Sequence, residues 1–205
     1  MTTNPSNKRE PSRNTRQVVL DAALETFIEL GYQGTSMAHV AEKAGVIKQT
    51  IYRYFDNKEA LFREIITCST VDVVKNELKA VSNQKLSTQA KLRKVAETIM
   101  GRHKNPQFTK LIRTIIAESG RFPELGQLFS SATIKPGLDL IVHILGEDPT
   151  YKIPDPEAFA RVFIGSIVNF CTHQYLLRGS EYLPFDQERL IAELLRLVEM
   201  QRVGA

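Results

Sequence analysis

Apolar residues recur at three- and four-residue intervals along most of the chain, the mark of helices that each bury one face. From about residue 14, Val19, Ala22, Ala23, Phe27 and Leu30 share one side, while Asp21, Glu25 and Glu29 take the other. Gly31 predicts the end of this first helix, since glycine enters the left-handed conformation of a helix terminus at little steric cost. Thr35 or Ser36 can cap a short second helix running to Ala44. Gly45 breaks it, and a third short helix is predicted from 48 to 55. Asp56 and Asn57 make the next turn and cap a longer helix from 58 to about 81.

Residues 82–87 read as a connection, and helix follows helix beyond it. Ser87 caps a segment running to His103; Asn105 and Pro106 give the next a cap and a first-turn proline, and it ends at Gly120. Pro123 opens another, with a break expected near Pro136 and Gly137 before it resumes to Leu145. Asp155 and Pro156 repeat the cap-plus-proline pattern ahead of a long apolar helix to Arg178, and Asp186 caps the last helix, to about Arg202. No alternating strand pattern, internal repeat or low-complexity tract is visible, so the fold class is all-α. The organisation expected is a polar arm over 1–12, a first helical domain over 13–75, and a second, larger helical domain over 76–205.

The region 36–55 carries the spacing of a helix-turn-helix. Such a motif needs a small residue where its helices touch, a glycine in the turn and an apolar anchor on the second helix. Ala41, Gly45 and Ile51 meet these needs, with Val46 and Phe55 as further anchors. Two packed helices joined by a glycine turn would use the same spacing. With Ile51 and Phe55 facing inward, Gln49, Thr50 and Arg53 point outward, Tyr52 and Tyr54 flank them, and Lys48 stands at the helix start. Glutamine can bond adenine through two hydrogen bonds, threonine can meet a base edge or a thymine methyl, and lysine or arginine can take guanine or phosphate.

The stretch from Arg16 to Phe62 resembles the DNA-binding domain of the tetracycline-repressor (TetR) family. The resemblance rests on Ala22-Ala23, Phe27, Gly31-Tyr32, Gly34-Thr35-Ser36, Val40-Ala41 and Ala44-Gly45-Val46. Its strongest part is the run from Thr50 to Phe55 followed by Asn57-Lys58-Glu59-Ala60-Leu61. It implies a three-helix head, a helical ligand-binding domain, and a dimer built from the last two long helices. It also implies that Lys48, Gln49 and Thr50 lie toward bases, while Ser36, Tyr52, Tyr54 and Lys58 reach phosphates. Arg53 is furthest outward on the wheel, yet docking favours the N-terminal residues of the recognition helix for reading bases. Ile47 departs from the family pattern, which often has a serine there as N-cap.

Beyond residue 80 the chemistry is less distinctive. The run from Leu111 to Phe129 looks like a regulatory-domain pattern of some branches of the same family. Two segments could line a ligand pocket: one with Met100, His103, Phe108 and Ile112, the other with Phe163, Asn169, Phe170 and His173. Residue by residue, ordinary core is the stronger reading. His103 and His173 have no Cys, His or carboxylate partner at ligand spacing, so no metal site and no cofactor is expected. No phosphate-binding loop or nucleophile-base set argues for an enzyme. The last two helices are broadly apolar, through Phe159, Phe163, Ile167 and Phe170 on one and Leu190, Ile191, Leu194, Leu195 and Val198 on the other. That excess of width fits a dimer interface or deep burial in one subunit, and the resemblance favours the interface.

Charge sharpens the picture only locally. The net charge of +4 is mild, but Lys8, Arg9, Arg13 and Arg16 meet the single acid Glu10, and from 43 to 55 the cations Lys43, Lys48 and Arg53 meet none. Such a stripe suits a phosphate surface or a merely solvated face. Cys68 and Cys171 form no paired motif, the start lacks an apolar leader, and no uninterrupted apolar run reaches spanning length, so a cytoplasmic protein is expected. The function expected is a DNA-binding transcriptional regulator. Its partners would be a palindromic operator, a second copy of itself and a small, mainly apolar effector that releases the DNA. The alternative is a protein of this fold acting chiefly through protein contacts.

Overall fold

The computed structural model describes residues 13–68 and 86–203. Its internal contacts divide the chain between Ile65 and Ile66 into two compact units. The arm over 1–12, most of the helix expected toward residue 81 and the connection from 82 to 85 lie outside the described residues. Within those residues the architecture is helical with no strand, as the apolar periodicity requires.

The first unit holds α1 (Arg13–Gly34), α2 (Met37–Ala44), α3 (Lys48–Tyr52) and α4 (Lys58–Ile66). Its core is Val19, Ala23, Phe27, Val40, Ile51, Leu61 and Phe62, whereas Leu30, which the spacing places on the same face as Phe27, is 48 % exposed just before the kink at Gly31. Phe27 and Phe62 meet edge to face at 4.7 Å, and Tyr32 joins them at 5.2 Å from Phe62. Gly31 kinks α1 rather than ending it: its φ of 70° and ψ of 175° turn the chain once, and a last short piece of helix carries on to Gly34. On the outside, Lys43 Nζ bonds Glu29 at 2.7 Å and lies 3.3 Å from Glu25, which raises its pKa and ties α2 to α1.

The second unit holds α5 (Thr88–His103), α6 (Pro106–Ser119), α7 (Pro123–Phe129), α8 (Lys135–Gly146), α9 (Pro156–Cys171) and α10 (Gln187–Glu199). Side chains cap four of them: Ser87, Asn105, Asp155 and Asp186 each accept from a backbone N–H of the first turn. The break expected near Pro136 is absent. A π-helical turn, Ser130–Ile134, joins α7 to α8, and Pro136 sits in the first turn of α8. A second π turn, Thr172–Leu176, extends α9, and the helix expected to reach Arg178 stops there. Arg178 then takes a left-handed φ of 56°. Gly179 follows where no other residue fits, because a Cβ would lie 2.5 Å from the His173 carbonyl oxygen.

The core of this unit runs through Leu92, Ala96, Met100, Ile141, Phe163, Ile167, Ile191, Leu194 and Val198. Because the π turn fuses two helices, Pro123–Gly146 has the length and composition of a membrane-crossing helix. Here Leu125, Ile141 and Ile144 are buried inside the unit, while Lys135 and Asp139 pair on its outer face. At the far end Gln89 donates to the Leu195 carbonyl and to Glu199, and Tyr151 donates to the same carboxylate at 3.0 Å.

Candidate functional site

The sharp reversal between α2 and α3 comes from Gly45, whose φ of 64° and ψ of 31° close the C-terminus of α2. The Val46 N–H returns to the Ala41 carbonyl at 3.0 Å, so the small alanine lies where the chain doubles back. Ser36 caps α2, its hydroxyl accepting from the His39 N–H at 3.2 Å. Nothing comparable starts α3, because Ile47 offers no side-chain acceptor. Ile51 and Phe55 are buried and hold α3 to the unit.

That anchoring leaves Lys48, Gln49, Tyr52 and Arg53 exposed, with Thr50 half-buried beside them. The Lys48 ammonium lies 5.7 Å from the centre of the Tyr52 ring, so the cation and the phenol share one side of the helix. This surface presents donors and a cation at the N-terminal end of a short helix, the end that reads base edges when such a helix enters the major groove.

Two residues expected on phosphates are placed differently. The Tyr54 hydroxyl is buried with no hydrogen-bond partner, so it does not offer a phosphate donor. Lys58 is half-buried, and its ammonium donates to the Tyr32 carbonyl at 2.7 Å while lying 4.4 Å from the centre of the Tyr32 ring. This cation braces the end of α1.

A cavity of about 430 Å³ lies within the second unit. Its walls are mainly aliphatic and aromatic, from Ile99, Phe108, Ile112, Ile115, Phe129, Ile134, Leu138 and Val168, with Arg102, His103, Thr133, Arg161 and Thr172 as the polar groups. Both π turns contribute, through Thr133 and Ile134 in one and Thr172 and Leu176 in the other. Arg113 donates to the Leu176 carbonyl and so ties the second π turn to α6.

Of the ligand residues expected from sequence, His103, Phe108 and Ile112 line this cavity. Met100 and Phe163 do not; both are 1 % exposed and packed in the core. Asn169, Phe170 and His173 face an open groove beside Leu183, Pro184 and Phe185 instead. Helical spacing could not separate these cases, since a phenylalanine on a buried face looks the same whether a void or another side chain lies against it. The π turns, which aim Thr133 and Thr172 at the cavity, leave no periodic signal.

His103 Nδ1 lies 2.8 Å from the Ile99 carbonyl oxygen, which can only accept, so Nδ1 carries the proton. Burial, aided by the nearby Arg102 charge and opposed by that hydrogen bond, lowers the imidazole pKa below its ordinary 6.5. His103 is therefore neutral near pH 7, with Nε2 an acceptor. Cys171, buried in the core, has its thiol pushed up to about 12 and has no thiolate to offer an oxidant. Among the described residues no group of three His, Cys, Asp or Glu could hold a metal.

Comparison with known proteins follows the same division. Residues 19–65 match the model of bacterial regulatory proteins of the tetR family. Residues 90–200 match the C-terminal domain of AefR-like transcriptional repressors. The HTH-type transcriptional regulator YhgD of Bacillus subtilis is 46 % identical over 56 residues, 27 % of this chain and 29 % of that protein. The chain thus spans less than a third of that relative's length. Two solved structures are similar over nearly the whole chain. A TetR-family regulator of Mesorhizobium loti is 25 % identical with a TM-score of 0.70, covering 93 % of this chain and 96 % of its own. The flavonoid-responsive regulator FrrA is 26 % identical with a TM-score of 0.71, covering 95 % of this chain and all of its own, 100 %.

Proposed function

We propose, since the chain belongs to the tetR family of bacterial regulatory proteins, that it represses transcription from a two-fold-symmetric operator as a homodimer and is released by a small, mainly apolar effector held in the second unit. The observation that carries the DNA-binding half is the exposed set Lys48, Gln49 and Tyr52 at the head of α3, with Thr50 beside it. Lys48, Gln49 and Thr50 read bases and Tyr52 takes a phosphate; Ser36, at the N-terminus of α2, takes another. Lys58 acts through Tyr32, holding the α1 terminus, and adds its charge to the field that draws phosphate. One such helix reads only a few base pairs, so useful specificity calls for two heads on an inverted repeat. The cavity supports the effector half, since an apolar void with few polar groups suits a small ligand. FrrA's response to flavonoids supports the same reading.

Release is a matter of linkage. An effector lowers DNA affinity only by binding the DNA-incompetent arrangement more tightly, and a coupling of about 1–3 kcal/mol is the usual scale. Selection of genomic fragments by the purified protein tests the DNA half. The selected sites should share an inverted repeat, and Gln49→Ala should change the base preferred at one position of each half-site, by about 1–3 kcal/mol of discrimination. Sites without symmetry, or an unchanged preference in the variant, would count against it.

A further inference from the structure

The polar groups around the cavity differ in what they have left to give. Arg161 pairs with Glu157 at 2.7 Å, and the Arg102 guanidinium lies 4.5 Å from the centre of the Phe108 ring. Both cations are thus engaged. The neutral groups His103, Thr133 and Thr172 are not fully engaged, and of these only Thr133 has its polar atom buried without a partner. His103 gives its Nδ1 proton to Ile99 and has no protein partner at Nε2 among the described residues. Thr133 borders the cavity, and its Oγ1 is buried in the wall with no hydrogen-bond partner at all, so it meets a ligand after a turn about its Cα–Cβ bond.

The Thr133 hydroxyl has an evident physical history. A threonine within an α-helix returns its hydroxyl to the carbonyl four residues back. Thr26, Thr98 and Thr114 of this chain do so, at 2.6, 2.8 and 3.1 Å. Thr133 sits in the π turn, where the backbone register is shifted, and it makes no such bond. Buried hydroxyls are nearly always satisfied, so this one is an exception that a bound molecule would explain.

Resting on the reading of this cavity as the effector site, we propose that the effector is an uncharged apolar molecule bearing a hydroxyl, whose O–H donates to His103 Nε2 and which accepts through an oxygen from Thr133 Oγ1. Donor and acceptor are matched to what the walls lack. A carboxylate would bring only acceptor lone pairs against the Nε2 lone pair. It would bind only with a proton taken up on the imidazole, which burial opposes, or by winning the Arg102 or Arg161 guanidinium from its present partner. A hydrocarbon would leave the buried Thr133 hydroxyl unsatisfied and offer nothing to His103 Nε2. The volume of about 430 Å³ admits a two-ring molecule, since a void of about 150 Å³ already accepts benzene.

A matched series tests this on the purified full-length protein by calorimetry: para-phenylphenol, its methyl ether, para-methylbiphenyl and biphenyl para-carboxylate. The phenol should bind at least tenfold more tightly than the ether. Thr133→Val and His103→Phe should each reduce that preference severalfold while leaving the affinity for para-methylbiphenyl within about twofold. Thr133→Val deletes only an unpartnered hydroxyl, so it serves even if His103→Phe fails to fold. An ether that binds as well as the phenol, or a carboxylate that binds best, overturns the hydroxyl assignment and leaves the cavity as effector site. Failure of all four to bind overturns both.

Discussion

A polar atom buried without a partner is informative in either direction: it marks a site awaiting a ligand, or a position where the polar atom is dispensable. Thr133 is the first kind, because it borders a cavity. Tyr54 is the second, because its hydroxyl borders no described cavity and touches no acceptor. An unsatisfied buried hydroxyl costs about 1–3 kcal/mol, whereas an apolar group of the same shape avoids that penalty. Tyr54→Phe is therefore expected to leave the midpoint of urea unfolding unchanged or raise it, and to leave operator affinity within about twofold. A loss of tenfold or more in affinity would mean that the hydroxyl turns outward on DNA and takes a phosphate after all. Lys58 marks the opposite case. Its ammonium already holds the Tyr32 carbonyl, so its place in the motif reflects bracing of α1 as well as charge.

Helix starts were legible because a cap is a local event. Ser36, Ser87, Asn105, Asp155 and Asp186 each announce a first turn and each accept a backbone N–H there. Ends and joins were less so. Pro136 falls where the register passes from π to α, so the N–H it lacks falls in a ladder already offset, and the helix runs through. Gly31 bends its helix, its left-handed φ of 70° turning the chain once before helical residues resume to Gly34. The cavity was legible in part: the face of α6 with Phe108 and Ile112 was expected, whereas the walls from α8, α9 and the π turns depend on how helices distant in sequence pack. The missing cap of α3 was legible, and its consequence can be measured. Ile47 is 68 % exposed, so replacing it sacrifices little burial. Ile47→Ser supplies the acceptor that α3 lacks and should stabilise the first unit by about 0.5–2 kcal/mol in denaturant unfolding. A serine variant no more stable than the parent would show that the Lys48 end of α3 is held by its core anchors alone.

At the scale of the whole molecule, the broad apolar faces of α9 and α10 divide between two uses. Phe163, Ile167 and Phe170, with Ile191, Leu194 and Val198, are buried within the second unit. Much of the excess width expected of a dimer interface is therefore ordinary core. What remains outward is a narrower stripe on α9 through Val162, Ser166, Asn169 and His173, beside the exposed Leu183 and Phe185. Its apolar members are Val162, Leu183 and Phe185, and exposed apolar residues grouped around one groove point to an association surface, whereas single ones need no explanation. Val162 tests the assignment cleanly because it is 59 % exposed, so a charge there does not disturb the subunit's own packing. In a two-fold interface the same patch meets itself, and Val162→Glu would set two desolvated carboxylates close to one another. Sedimentation should give a dimer for the parent and a shift to monomer for Val162→Glu, with thermal stability measured on dilute protein little changed. Operator affinity should fall at least tenfold with it, since a lone head engages one half-site only. A variant that still sediments as a dimer and still grips the operator would move the interface to another face of the second unit, leaving the α9 stripe without a role in symmetry.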